Sequence, residues 1–182
     1  MADLRYARLS GADAAGLVEE LVALYAVVYA EPPYEEGPEQ VGRFARTFPG
    51  ELRRDGFALT AAFDGSRLVG AAYGWTMPAG GWFSAAESLP RPEILQRPKL
   101  AVMEWLVHPG HRGRGVGRGL IGALLVGRPE PWAVLSSDPR SAARGMYERA
   151  GWQPCGRSVL PWGPPMDLLA LPLEPGGAVR SG

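Results

Sequence analysis

Apolar and polar positions along this chain follow two periods, and the order in which the periods change predicts the elements. In "AAGLVEELVALYAVVY", Leu17, Leu21, Leu24, Tyr25 and Val28 recur at three- and four-residue spacings. That pattern predicts an amphipathic helix running to about residue 30, capped by Ser10 or Asp13. "EPPYEEGP" interrupts it, and Pro38 opens a second helical stretch in which Val41, Phe44, Ala45 and Phe48 share a face. On this reading two helices precede the first clear strand. The alternation in "GFALTAAFDGSRLVGAAYGW" predicts a hairpin of strands 57–63 and 68–75 turning at "DGS". The two dozen residues from Thr76 to Lys99 hold no sustained period and are too long for a passive connection. After them the pattern gives a strand at 100–107, a glycine-rich turn, a helix over about 115–126, a strand from Trp132, a helix over about 141–150, and strands in "WQPCGRSV" and "MDLLALPL". Hairpin strands followed by a strand–turn–helix–strand unit imply a mixed α/β fold with helices on both faces of the sheet.

Composition narrows this little. A length of 182 residues with 46% hydrophobic content suits one domain, read as residues 1–174 with a flexible tail at 175–182. The 25 glycines and 18 prolines are scattered between periodic segments and mark turns. A basic-then-apolar leader and an apolar run long enough to span a bilayer are both missing from the pattern, so the expectation is a soluble, cytoplasmic protein with no membrane partner. Cys155 is the only cysteine, read as a buried structural thiol, and two histidines make a poor metal site. Charge is uneven: residues 1–96 hold thirteen acidic side chains against eight basic, and residues 97–157 ten basic against four acidic. This suits a polyanionic ligand on the basic side. Nucleic acid is not expected, because the basic residues are confined to one turn and its flanks.

That turn is "HPGHRGRGVGRG", His108 to Gly119. A strand that feeds a glycine-rich turn opening a helix forms an anion site, since first-turn amides lack intrahelical partners and the helix dipole favours negative charge. Arg112 and Arg114 add charge-assisted donors. A P-loop is excluded because no lysine follows the glycines; the chain's one lysine is Lys99. Gly117, Gly119 and Gly122 form a literal G-x-G-x-x-G with Asp138 downstream, a dinucleotide reading. The last two fall inside the helix, where close packing on the sheet explains them more simply.

"LVHPGHRGRGVGRGLIGALL" resembles the acetyl-coenzyme A motif of the GNAT N-acetyltransferases, R/Q-x-x-G-x-G/A, at Arg112, Gly115 and Gly117. About thirty residues on, "AARGMYERAGW" is similar to the family's second helix, with Ala143, Tyr147, Glu148, Gly151 and Trp152. The resemblance implies a mostly antiparallel twisted sheet of six to seven strands. It also implies acetyl-CoA as cofactor, its pyrophosphate held by Arg112, Gly113, Arg114, Gly115, Val116 and Gly117, and its pantetheine and thioester carbonyl bonded by the backbone of Leu106 and Val107. Tyr147 corresponds to the general acid for the departing thiolate. Arg140 stands where the family often has asparagine, and is assigned to a phosphate instead.

Acetyl transfer needs a base near the amine. Glu104 interrupts an apolar strand, shares a face with Val102 and Leu106 by alternation, and is the candidate base, its burial raising its pKa. Tyr34, Glu35 and Glu36 in "EPPYEE" and Trp82, Phe83 and Glu87 in the long loop are candidates to line the acceptor groove with Glu104, aromatics and carboxylates suiting an ammonium. His111 is read as solvated or near a phosphate. The expected activity is acetyl transfer to a primary amine of a small molecule or peptide, with no metal and with a homodimer left open. A non-catalytic acyl-CoA-binding module is the alternative, and a dinucleotide-binding protein the remote one.

Overall fold

The computed structural model describes residues 4–159 and 163–174; the tail expected at 175–182 lies outside them. A strand, not a helix, opens the chain. β1 (Arg5–Leu9) pairs antiparallel with β2 (Ala58–Asp64), from Arg5 opposite Phe63 to Leu9 opposite Leu59. The expectation that two helices come first is therefore corrected. Five residues, two of them arginine and most of them exposed, carry no apolar period; backbone pairing to β2 is what orders them, and charge suits an edge strand. Arg5 lies over the Phe63 ring at 4.3 Å. Arg8 Nη1 donates to the carbonyl of Val126 at 2.6 Å.

Ser10 then caps the first helical segment. Its Oγ accepts from the Asp13 amide at 3.2 Å, and Asp13 Oδ2 accepts from the Ser10 amide at 3.2 Å, a reciprocal box. The predicted first helix is split into α1 (Gly11–Ala14), a tight 3₁₀ turn at Ala15–Leu17 and α2 (Val18–Tyr29), because Leu17 leaves the helical region at φ −109°, ψ 10°. Gly37, whose amide donates to Gln40 Oε1, and Pro38 start α3 (Pro38–Glu51).

β2 and β3 (Arg67–Met77) form the predicted hairpin, with Gly65 at φ +60° in its turn. Their alternation divides the core. Leu59, Ala61, Phe63, Ala71 and Tyr73 join Leu21, Leu24, Phe44 and Phe48 of α2 and α3. Thr60 points the other way, its Oγ1 donating to the Leu120 carbonyl of α5 (Val116–Leu125) at 2.9 Å. Helices thus cover both faces of the hairpin. At Gly70 a methyl group would stand 2.9 Å from Leu120 and 3.2 Å from Val116, so glycine lets α5 approach the strand.

This hairpin, up to Trp75, forms one compact unit with β1, α1–α3 and Met103–Val126. The other comprises Thr76–Val102 and the chain from Gly127. The chain passes between them within β3, within β4 (Lys99–Val107) and after Val126. In the second unit β4 pairs in parallel with β5 (Trp132–Ser137) over Lys99–Ala101, and β7 (Pro165–Pro172) runs antiparallel to both β5 and β6 (Gln153–Val159). The strand order is β1-β2-β3-β4-β5-β7-β6, seven strands as expected. α6 (Ala143–Arg149) follows β5.

The long connection of the second unit is not loose. It holds α4 (Pro92–Leu95), a bridge from Ala86 to Ser158, and three carbonyls, of Pro78, Leu95 and Arg97, that accept from the Lys99 ammonium at 3.0–3.2 Å. Lys99 is wholly buried, and these bonds fill the donor capacity of its ammonium. Cys155 is half-buried rather than fully buried, with its thiol pushed up to about 11 by burial.

Two outcomes follow. Phe48 has no exposed surface and meets the rings of Phe44, Phe57 and Tyr73; Phe48→Ala will lower unfolding free energy by about 3–5 kcal/mol in denaturant titration. Lys99→Met removes the donor that three carbonyls share, of which those of Pro78 and Leu95 keep the amides of Gly81 and Gly80, and hydrogen exchange will show faster exchange across 78–97 than across β5.

Candidate functional site

β4 is apolar at Leu100, Ala101, Val102 and Leu106, and Glu104 stands among them. Its Oε2 accepts a 2.6 Å hydrogen bond from Tyr29 Oη, at the end of α2. One turn earlier, Tyr25 Oη donates to Glu36 Oε2 at 2.6 Å. Across from them Tyr73 Oη, on β3, donates to Glu51 Oε2 at 2.7 Å, from the last residue of α3. Such short O–H···O⁻ bonds are the strong class. Glu104, Glu51, Tyr25 and Tyr73 line a cavity of about 240 Å³ together with Phe44, Met103, Gln40, Arg43 and Thr47.

The electrostatics of this cavity favour protonation. Burial pushes the Glu104 carboxyl up to about 8, the like charges of Glu36 and Glu51 add to the rise, and only the Tyr29 bond opposes it. Burial also raises Glu51. The phenols of Tyr29 and Tyr73 are driven well above their ordinary range, first by burial and then by Glu104, so both remain donors. Glu104 therefore exchanges its proton near neutral pH while hydrogen-bonded in a defined orientation. Such a group can take a proton from a nucleophile and return it to solvent.

Three residues after Glu104, β4 ends and the glycine turn begins. Pro109–His111 forms a 3₁₀ turn, Gly113 and Gly115 take φ +74° and +80°, and α5 starts at Val116. A methyl group at Gly113 or Gly115 would meet nothing, so the backbone conformation selects glycine there and open space surrounds it. Gly117 differs. Trp105 Nε1 donates to its carbonyl at 3.0 Å, and a methyl group would sit 3.3 Å from that nitrogen. Its glycine answers to the tryptophan beneath the helix. Gly119 lies against Tyr6, 2.9 Å from a methyl group built there, as helix packing requires, whereas Gly122 meets nothing and has no such reason. Val116 is buried against Gly70, which leaves its amide as its polar contribution.

Arg112 is already engaged. Its Nη1 donates to Glu31 Oε2 at 2.5 Å and its Nε to the Val107 carbonyl at 3.3 Å, tying the turn to the segment after α2. Arg114 is exposed, and Leu106 is buried in the α2–α3 core. His111 is not solvated: its side chain is 13% exposed and Nε2 lies 3.2 Å from Asp64 Oδ2, which anchors the turn to the end of β2.

Tyr34 packs edge-on to Tyr29 at 4.8 Å, beside the Glu104 pair but outside the lining of the cavity. In the second unit, Trp82 and Phe83 form a T-shaped pair at 5.2 Å. Tyr147, also there, is buried on α6, and its carbonyl accepts from the Trp152 amide at 3.0 Å. Arg140 forks onto Asp138, Nε to Oδ1 at 3.1 Å and Nη2 to Oδ2 at 2.7 Å, which holds the Asp138 carboxyl below its usual range. Its charge is matched within the fold.

The sequence pointed to Glu104, the turn and Glu36 but not to Tyr29, Tyr73, Glu51 or Glu31. Tyr25 and Tyr29, four apart on α2, were the available signal: a helix face that repeats a hydroxyl needs a polar partner behind it. Among the described residues no group of three or more His, Cys, Asp or Glu is placed to hold a metal, and no helix is long and apolar enough to cross a membrane.

Solved structures share this fold. A Pyrococcus horikoshii OT3 protein, PH1933, superposes with a TM-score of 0.67 at 20% identity, over 94% of this chain and 99% of its own. Arabidopsis thaliana NAA60, solved with a bisubstrate analogue, gives 0.63 at 15%, over 97% and 100%. The PaiA N-acetyltransferase of Thermoplasma acidophilum, solved with coenzyme A, gives 0.57 at 14%, over 93% and 99%. No curated protein sequence matches the chain. Residues 18–152, which span α2, the cavity, Glu104, the glycine turn and α6, match the sequence model of the acetyltransferase (GNAT) family, and the chain belongs to that family.

Proposed function

We propose that this protein is an N-acetyltransferase that moves the acetyl group of acetyl-CoA directly to a primary amine, with Glu104 as base. The observation that carries the reading is the Glu104 carboxyl, partly buried, oriented by Tyr29 and pushed up to about 8, on a cavity wall three residues before the glycine turn. The turn suits a pyrophosphate: Gly113 and Gly115 hold left-handed backbone with open space around them, α5 begins directly after, and Arg112, Arg114 and Arg118 supply the charge. Two solved members of similar fold carry coenzyme A or a bisubstrate analogue, which supports the same guest here.

Bound acetyl-CoA supplies an acyl thioester, whose C–S bond breaks as the acceptor's C–N bond forms. Glu104 accepts the proton that the amine must lose. Its raised pKa brings it closer to the basicity of an amine than an ordinary carboxylate would be, while Tyr29 keeps Oε2 fixed. The strand backbone at Leu106 and Val107, the end of β4, is assigned to the pantetheine and thioester. The Arg112–Val107 bond holds that end of the strand to the turn. Tyr147 is assigned to protonating the thiolate. Arg140, paired with Asp138, contributes to a phosphate only by leaving that partner.

A thiol-release assay over an amine panel tests this. Wild-type kcat/KM will rise with pH through an inflection near 8, because the carboxylate is the active form. Glu104→Gln will lose that inflection and roughly 10²-fold or more in rate. Tyr29→Phe removes the one contact that stabilises the carboxylate, so its inflection will move to higher pH; Tyr147→Phe will slow turnover without moving it. Binding of coenzyme A with no turnover of any amine would overturn the reading in favour of a non-catalytic module. Gly115→Ala places a side chain at φ +80° and will weaken coenzyme A binding by about tenfold in calorimetry.

A proton-linkage measurement checks the Glu104 carboxyl independently of activity. A carboxyl whose folded pKa is raised contributes stability that is full below its unfolded pKa and is lost as pH rises through the folded value. Wild type will therefore lose stability relative to Glu104→Gln between about pH 4.5 and 8 in denaturant titrations.

A further inference from the structure

We infer that the acceptor carries a second cationic group: the cavity is built for a short diamine, one nitrogen facing Glu104 and the other held by Glu51. This rests on the reading of Glu104 as the acceptor-side base and names the substrate class for it. Two carboxylates line one cavity of about 240 Å³, a volume below the usual range for drug-sized ligands. Each spends only one oxygen on the protein. Tyr29 takes Glu104 Oε2 and Tyr73 takes Glu51 Oε2, and neither Oε1 has a hydrogen-bond partner among the described residues. Neither forms an ion pair within the described residues, and the guanidinium of Arg54, the cation acting on Glu51, lies over the Trp75 ring.

An apolar or singly charged guest would leave one of these oxygens facing hydrocarbon, whereas a second ammonium satisfies it. The lining that the two carboxylates share is aromatic at Tyr25, Phe44 and Tyr73, and suits both methylenes and cation–π contact. Arg43 and Thr47, both exposed, are the outer part of the lining. A guanidinium there repels a third cation, which limits the guest to a short chain and admits one whose outer end bears a carboxylate.

The test compares a short α,ω-diamine, the monoamine of equal chain length, and the diamine bearing a carboxylate, in acetyl transfer and in calorimetric binding to the coenzyme A-loaded protein. The expected result is that the diamine exceeds the monoamine at least about tenfold in kcat/KM and in affinity. In Glu51→Gln that ratio falls to about one, and in Tyr73→Phe, which keeps the carboxylate, it persists. A stronger response to the carboxylated diamine, lost in Arg43→Gln, identifies the diamino-acid form of the same chemistry. Equal handling of diamine and monoamine by wild type, or a Glu51→Gln variant that weakens both and preserves their ratio, overturns the inference. The two readings fail separately: turnover of both amines without preference removes only the second cation, whereas preferential diamine binding through Glu51 without turnover removes only the acetyl transfer.

Discussion

The Tyr29–Glu104 hydrogen bond is the contact on which the site turns. A carboxyl on a buried strand loses the solvation of its charge, and without a donor it would stay protonated across the physiological range. With one phenolic donor at 2.6 Å and two like charges nearby, it settles between those extremes. The bond also constrains the fold, because it requires the last turn of α2 to lie against the middle of β4. The stacked ring pairs Tyr25–Phe44 and Phe44–Phe48 hold α2 and α3 together, and the contacts of Phe48 and Phe57 with Tyr73 fix α3 to the hairpin, so the donor cannot drift from its acceptor.

The glycine turn is fastened from below as well. His111 to Asp64, Arg112 to Val107 and Trp105 to the Gly117 carbonyl tie it to the ends of two strands and to its own helix. The glycines do different work within one motif: left-handed backbone at Gly113 and Gly115, and close approach at Gly117 and Gly119. Glu31 links the same turn to the segment that carries Tyr34 and Glu36, the segment leading from α2 into the cavity wall. The glycine turn and the cavity wall of the first unit are therefore joined through one exposed ion pair. Such pairs contribute little to stability.

Much of this was legible along the chain. Periodicity located the helices, the Asp64-Gly65 turn located the hairpin, and a lone carboxylate in an apolar strand located Glu104, because each of these signals is local: it depends on neighbours within a few residues. β1 was not legible. Its five residues are ordered by pairing with β2, fifty or more positions away, and an exposed edge strand with two arginines shows no apolar face. The break at Leu17, the burial of His111 against Asp64 and the open side of Gly122 escaped for the same reason.

The sequence by itself determined the family, the order of the main helices and strands after β1, the conformational need for glycine in the turn, and the presence of one acidic residue among apolar neighbours on β4. Only the tertiary structure decided what that residue is: a carboxyl held by Tyr29, sharing a cavity with Glu51, and shifted to about 8. A pKa depends on how much solvent is displaced and on which charges stand within a few ångströms. For Glu104 those are contributed by α2, α3 and the segment between them, residues fifty or more positions distant that no local pattern brings together.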